Sequence, residues 1–114
     1  EDFDGAEAAY RAAIAADPGH ANAHTNLGLL LKNVRKDFDG AEAAYRAAIA
    51  ADPGFAPAHS NLGNVLHARA EQIEERGGDL AAAAALYDEC AQLWAFSHGA
   101  DNEYTSTQRV QRAL

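Results

Sequence analysis

Three features of this sequence predict an all-α chain built from stacked pairs of helices. The stretch DFDGAEAAYRAAIAADPG occurs twice, from Asp2 to Gly19 and again from Asp37 to Gly54, a period of 35 residues. Repetition at that spacing marks a helical unit that cannot bury its apolar face alone and stacks on copies of itself. Along the chain, apolar residues recur at steps of three and four, the spacing of one helical face. Hydrophobic residues make up 48% of the sequence and much of that share is alanine, the best helix former, so slim and closely packed helices are expected.

Each element can be justified in turn. Phe3 to Asp17 reads as a first helix, with Phe3, Ala6, Tyr10, Ala13 and Ile14 on one stripe. Asp4 followed by Glu7 reads as an Asp-headed capping box, and Glu7 with Arg11 as a favourable i,i+4 pair. Pro18 and Gly19 end it. A second helix is expected from about Asn22 to Val34 through Leu27, Leu30 and Leu31, with Lys32, Arg35 and Lys36 near its C-terminal end, where the dipole favours cations. Gly28 lies inside it, and a glycine in mid-helix predicts another backbone lying against it. The duplicate supplies a third helix, from about Asp39 to Asp52, stopped by Pro53. A fourth begins near Pro57 and carries Leu62, Val65 and Leu66. AEQIEERGG then extends it by about two turns before Gly77 and Gly78 break it. Asp79 opens a fifth helix through Ala83, Leu86, Tyr87, Cys90, Leu93 and Trp94, and a capping box of Thr105 and Gln108 opens a short sixth.

The chain of 114 residues is one modest domain, without room for a catalytic domain beside the repeats. A formal net charge of −8 argues against nucleic acid and anionic membrane surfaces as partners and for neutral or mildly basic ones. The acids also keep the surface solvated. No stretch reads as a membrane span or a secretory leader. Cys90 is the one cysteine, so no internal disulfide forms, and an intracellular, cytoplasmic setting is the expectation. The sequence opens on Glu1 and holds no methionine, which points to a fragment or processed form of a longer protein.

The repeated pattern is His24, Leu27-Gly28, Leu31, Ala41, Tyr45, Ala48 and Pro53. It recurs as His59, Leu62-Gly63, Leu66, Ala83, Tyr87 and Cys90, with a leading half-unit of Ala6, Tyr10, Ala13 and Pro18. This resembles a tetratricopeptide repeat array. His24 and His59 stand in place of the usual aromatic, the period is one residue longer than the family's, and the last unit lacks its Pro. The resemblance implies a right-handed α-α superhelix of about two and a half repeats and six helices. It divides the chain into a half repeat (1–19), a full repeat (20–54), a full repeat with an insertion near 70–78 (55–96), and a linker with the start of a further repeat (97–114). GADNEYT in the last segment is similar to the linker of kinesin light chain repeats.

Chemistry-bearing constellations are few. His20 with His24, and His59 with His67, could be imagined as zinc ligands. However, His24 and His59 occupy equivalent repeat positions and read as packing residues. Cys90 replaces Ala48 between helices, with no basic group placed to activate it. No nucleophile elbow, phosphate loop, zincin motif or paired catalytic carboxylate is present. The chain therefore reads as no enzyme, with no metal and no cofactor. The resemblance implies that the first helix of each repeat lines a concave side. There, helical spacing groups Asn22, Thr25, Asn26, Leu29, Lys32 and Asn33 on the second helix, and Pro57, Ser60, Asn61, Asn64, His67 and Ala68 on the fourth. Asn26 and Asn61 both precede Leu-Gly. An amide donates to a carbonyl and accepts from an N–H, so a ladder of them reads peptide backbone irrespective of side chain. This is similar to the asparagine ladder of the superhelical repeats in O-linked N-acetylglucosamine transferases. A carboxylate clamp is disfavoured, because Thr25 and Ser60 stand where such clamps carry lysine. The function expected is a non-catalytic module holding an extended protein or peptide segment. The alternatives are a scaffold that self-associates, as a homo-oligomer, through exposed terminal helix faces, or the substrate-recruiting piece of a larger enzyme.

Overall fold

The computed structural model describes residues 2–98, apart from the side chain of His98. Five helices occupy them: α1 (Phe3–Ala16), α2 (Ala21–Asn33), α3 (Phe38–Ala51), α4 (Ala56–Glu75) and α5 (Leu80–His98). The expected sixth helix and the GADNEYT linker lie outside the described residues. Four residues join each helix to the next, and connections that short make consecutive helices antiparallel neighbours. Contacts run α1 to α2, α2 to α3, α3 to α4 and α4 to α5. α2 also touches α4, whereas no Cα atoms of α1 and α3, or of α3 and α5, come within 8 Å. The odd-numbered helices splay while α2 and α4 approach, which curves the stack toward α2 and α4.

The helix starts correct one expectation. The cap of α1 is Asp2, whose Oδ1 accepts from the Gly5 N–H at 2.8 Å, and the cap of α3 is Asp37, accepting from Gly40 at 2.9 Å. Asp4 and Glu7 therefore do not form a capping box, because the helix has already begun before Asp4. Their carboxylates instead reach Arg35, just past the end of α2, and Glu7 also takes Arg11 Nε at 3.0 Å. The same triad recurs one unit on, where Arg69 of α4 meets Asp39 and Glu42.

The DPG loops are built alike in both copies. Gly19 N–H donates to Asp17 Oδ1 at 3.0 Å and Gly54 N–H to Asp52 Oδ1 at 3.1 Å. The proline carbonyl is then taken by a histidine six residues on: His24 Nε2 donates to Pro18 at 2.9 Å and His59 Nε2 to Pro53 at 2.8 Å. His24 and His59 thus fasten the loop to the next helix, His59 buried and His24 half-buried, and a carbonyl acceptor requires the proton on Nε2 in both rings. His20 caps α2, its Nδ1 accepting from Ala23 at 3.1 Å. α4 is 20 residues long against 13 for α2, two further turns, and ends at Gly77 with φ at 67°, the left-handed conformation glycine adopts at little cost.

The core joins Leu27, Leu31, Tyr45, Leu62, Val65, Leu66, Cys90 and Trp94. Gly28 faces a ring rather than a backbone: a Cβ there would lie 2.4 Å from Tyr45 Cε1. The following unit repeats the device with Gly63 against the indole of Trp94, 2.5 Å from Nε1. The two identical helices differ in burial. α3 buries Ala41, Ala44, Tyr45 and Ala48, whereas α1 buries none of its residues.

Candidate functional site

The helices that approach one another, α2 and α4, carry the residues expected to meet a partner. Asn22, Asn33 and Asn64 are exposed, and Asn26, Leu29 and Asn61 are half-buried. The side-chain amides of these five asparagines make no hydrogen bond among the described residues, so both their donors and their acceptors remain available. The residues of this strip, Asn22, Asn26, Leu29, Asn61 and Asn64, are themselves uncharged.

The other expected positions have different surroundings. Thr25 is 3% exposed and its hydroxyl donates to the Ala21 carbonyl at 3.0 Å, so it is already satisfied. Ser60 is half-buried, and its carbonyl accepts from Trp94 Nε1 at 3.4 Å. His67 lies edge-on to Tyr87 at 5.3 Å and against Trp94 at 5.5 Å, with Nε2 3.6 Å from Glu71. Lys32, one repeat earlier, is half-buried at the corresponding place on α2. Tyr87 donates to Glu74; burial, followed by that hydrogen bond, pushes its hydroxyl pKa upward. Of Thr25, Ser60, Lys32 and His67, His67 is the one whose side chain packs against α5.

A second feature escaped the sequence reading. A cleft of about 490 Å³ opens between α1, α2 and α3, lined by Arg11, Ile14, His24, Leu27, Leu31 and Ala44 among others. Arg11 lies beside Glu7 and, with Arg35, holds that carboxyl below its usual pKa. Its counterpart Arg46 takes Glu42 at 3.0 Å and, bidentately, Glu89 of α5 at 2.9 and 3.2 Å. The hydrogen bonds to Glu89, and secondarily to Glu42, raise the Arg46 pKa. Only the comparison of equivalent positions, Glu89 with Ala47, could have flagged the difference.

Among the described residues no group of histidine, cysteine and carboxylate side chains is arranged to hold a metal ion, and no helix is long and apolar enough to cross a membrane. The family model described as tetratricopeptide repeat matches residues 1–54 and again 34–98. No match is found among curated proteins.

Proposed function

The chain belongs to the tetratricopeptide repeat family, whose repeats are protein–protein interaction modules and typically non-catalytic, and from that premise we propose that it holds an extended peptide along α2 and α4. One observation carries this reading. Asn26 and Asn61, at the same repeat position on helices that contact each other, keep amides that no residue of their own repeat engages. An unengaged amide beside an extended chain can accept a backbone N–H and donate to a backbone carbonyl, and successive amides fix that chain's register. With uncharged residues along the strip and an overall charge of −8, the segment taken is neutral or mildly basic. Asn22, Asn33 and Asn64 extend the strip, Leu29 gives it an apolar contact, and Lys32 and His67 stand at its margin. Affinity is modest, because two repeats offer a small surface and an unfolded partner must be ordered on binding.

The test is a displayed library of unstructured peptides selected on the wild-type chain and re-bound to an Asn26→Ala/Asn61→Ala variant. At about 0.5–1.5 kcal/mol for each hydrogen bond lost, the double variant weakens selected peptides by roughly tenfold or more. Equal binding to both proteins, or no enrichment, defeats the reading.

A second reading, association of copies through terminal faces, draws on the bare face of α1, which buries none of the residues its duplicate buries. Sedimentation equilibrium over a concentration series tests it. A monomer throughout would dismiss it.

A further inference from the structure

The cleft between α1 and α3 lies away from the asparagine strip, and the molecule contains a filled version of the same place. Equivalent positions on α3 and α5 are related by Tyr45 and Tyr87. In that register, Ala44 of the open cleft corresponds to Leu86 and Ala47 to Glu89, whereas α3 ends at Ala51 and has no helical residue at the place of Phe96. In the second unit, Leu86 packs against the core, Glu89 takes the Arg46 guanidinium, and Phe96 stacks on His59 with centroids 4.0 Å apart and planes at 23°. In the first unit Arg11 has 57% of its side chain exposed, with Glu7 as its partner, and His24 has its ring edge fastened to Pro18 with no ring stacked on its face among the described residues. Relative to the second unit, the open cleft thus lacks counterparts of the Leu86, Glu89 and Phe96 side chains; Asp37 also lines it, with Oδ1 already engaged by the Gly40 N–H.

We propose that this cleft is a docking site for a short extended segment of a partner protein that carries a carboxylate and an aromatic ring three residues apart. The spacing follows from α5. Glu89 and Phe96 are seven residues apart, two helical turns on one face, or about 10 Å of rise. α3 already fills the space a helix would need, so the visiting segment is extended. A polyproline II chain, with three residues per turn and about 3.1 Å of rise per residue, brings positions i and i+3 to one face about 9 Å apart. The carboxylate pairs with Arg11, the ring stacks on His24, and an aliphatic residue beside the carboxylate lies over Ala44. Both charge-assisted pairing and stacking have their internal precedent in Arg46 and His59.

The probe is the synthetic peptide acetyl-Leu-Glu-Pro-Pro-Phe-amide, titrated into the full chain at millimolar concentration and followed by amide resonances. Saturable shifts at Gly40, Ala43 and Ala44 are expected. They should weaken by roughly two- to fivefold when glutamine replaces glutamate in the peptide, and again in an Ala47→Glu variant, which supplies Arg11 with the internal carboxylate Arg46 already has. Asn26→Ala/Asn61→Ala leaves this binding unchanged, which separates it from the strip on α2 and α4. Absence of saturable shifts, equal binding of the glutamine peptide, or shifts centred on Asn26 and Asn61 would each overturn the proposal.

Discussion

Replacing Gly28 by alanine tests the packing of the first full unit. The added Cβ would lie 2.4, 2.8 and 2.9 Å from Cε1, Cδ1 and Cζ of Tyr45, where carbon atoms prefer about 3.5–4.0 Å. The ring must retreat by roughly 1 Å, yet Tyr45 is 0% exposed and enclosed by the leucines of α2 and α4. Overpacking of this kind costs about 1–3 kcal/mol, against about 1 kcal/mol regained because alanine is the better helix former. A net loss of about 1 kcal/mol follows, which lowers Tm by about 4–8 °C in a domain this small. The decisive assay is a double-mutant cycle by urea denaturation with Tyr45→Leu. Without the ring, Gly28→Ala should change sign and stabilise by up to about 1 kcal/mol, giving a coupling of about 2 kcal/mol. If Gly28→Ala has the same effect in both backgrounds, the ring is not what requires glycine and the reasoning fails.

Three further outcomes are expected. Gly63→Ala drives a Cβ to 2.5 Å from Trp94 Nε1, so the emission of this single tryptophan should shift to the red while stability falls by about 1 kcal/mol; unchanged emission would mean the indole has not moved. Tyr45, its hydroxyl buried without a hydrogen-bond partner, has its pKa pushed up by burial to about 12. The unfolded chain ionises first, so this contribution is complete below about pH 10 and lost as pH rises through 12, about 2–3 kcal/mol in all. Tyr45→Phe should remove most of that alkaline loss and leave stability at neutral pH equal or up to about 1 kcal/mol higher, measured as urea midpoints at both pH values, with Tyr87 retaining a residual slope of the same sign. Asp37→Ala removes the α3 cap and should cost about 1 kcal/mol by denaturation, whereas Asp2→Ala costs less, because α1 is held by α2 alone.

The helix order was readable because duplication and apolar spacing are local properties, and so was the long α4, since AEQIEE has no breaker before Gly77. What escaped depends on contacts distant in sequence. Asp4 looks like a cap until Asp2 is seen accepting from Gly5, and nothing local says that Asp4 and Glu7 are reserved for Arg35, 31 and 28 residues away. Gly28 announced a close approach but not its partner, because ring and backbone both require the missing Cβ. On α2, helical periodicity grouped Thr25 with Asn26 although one turns inward and the other does not. A 100° step between neighbours decides that, and spacing alone leaves the boundary of a face uncertain by one residue. The cleft was invisible because it is made by what α3 lacks relative to α5.

The duplicated helices α1 and α3 share every residue from their capping aspartate to the glycine after them, yet α1 leans on one neighbour and α3 is clasped by two. Composition, propensity and capping are therefore held constant while enclosure alone varies. Protection of amide hydrogens against exchange should consequently form a gradient, with α1 opening in small local excursions and α3 yielding only when the stack yields. Folding would accordingly start around α3 and spread outward, and Tyr10 and Tyr45 provide paired reporters of the same peptide at the edge and at the centre of that process.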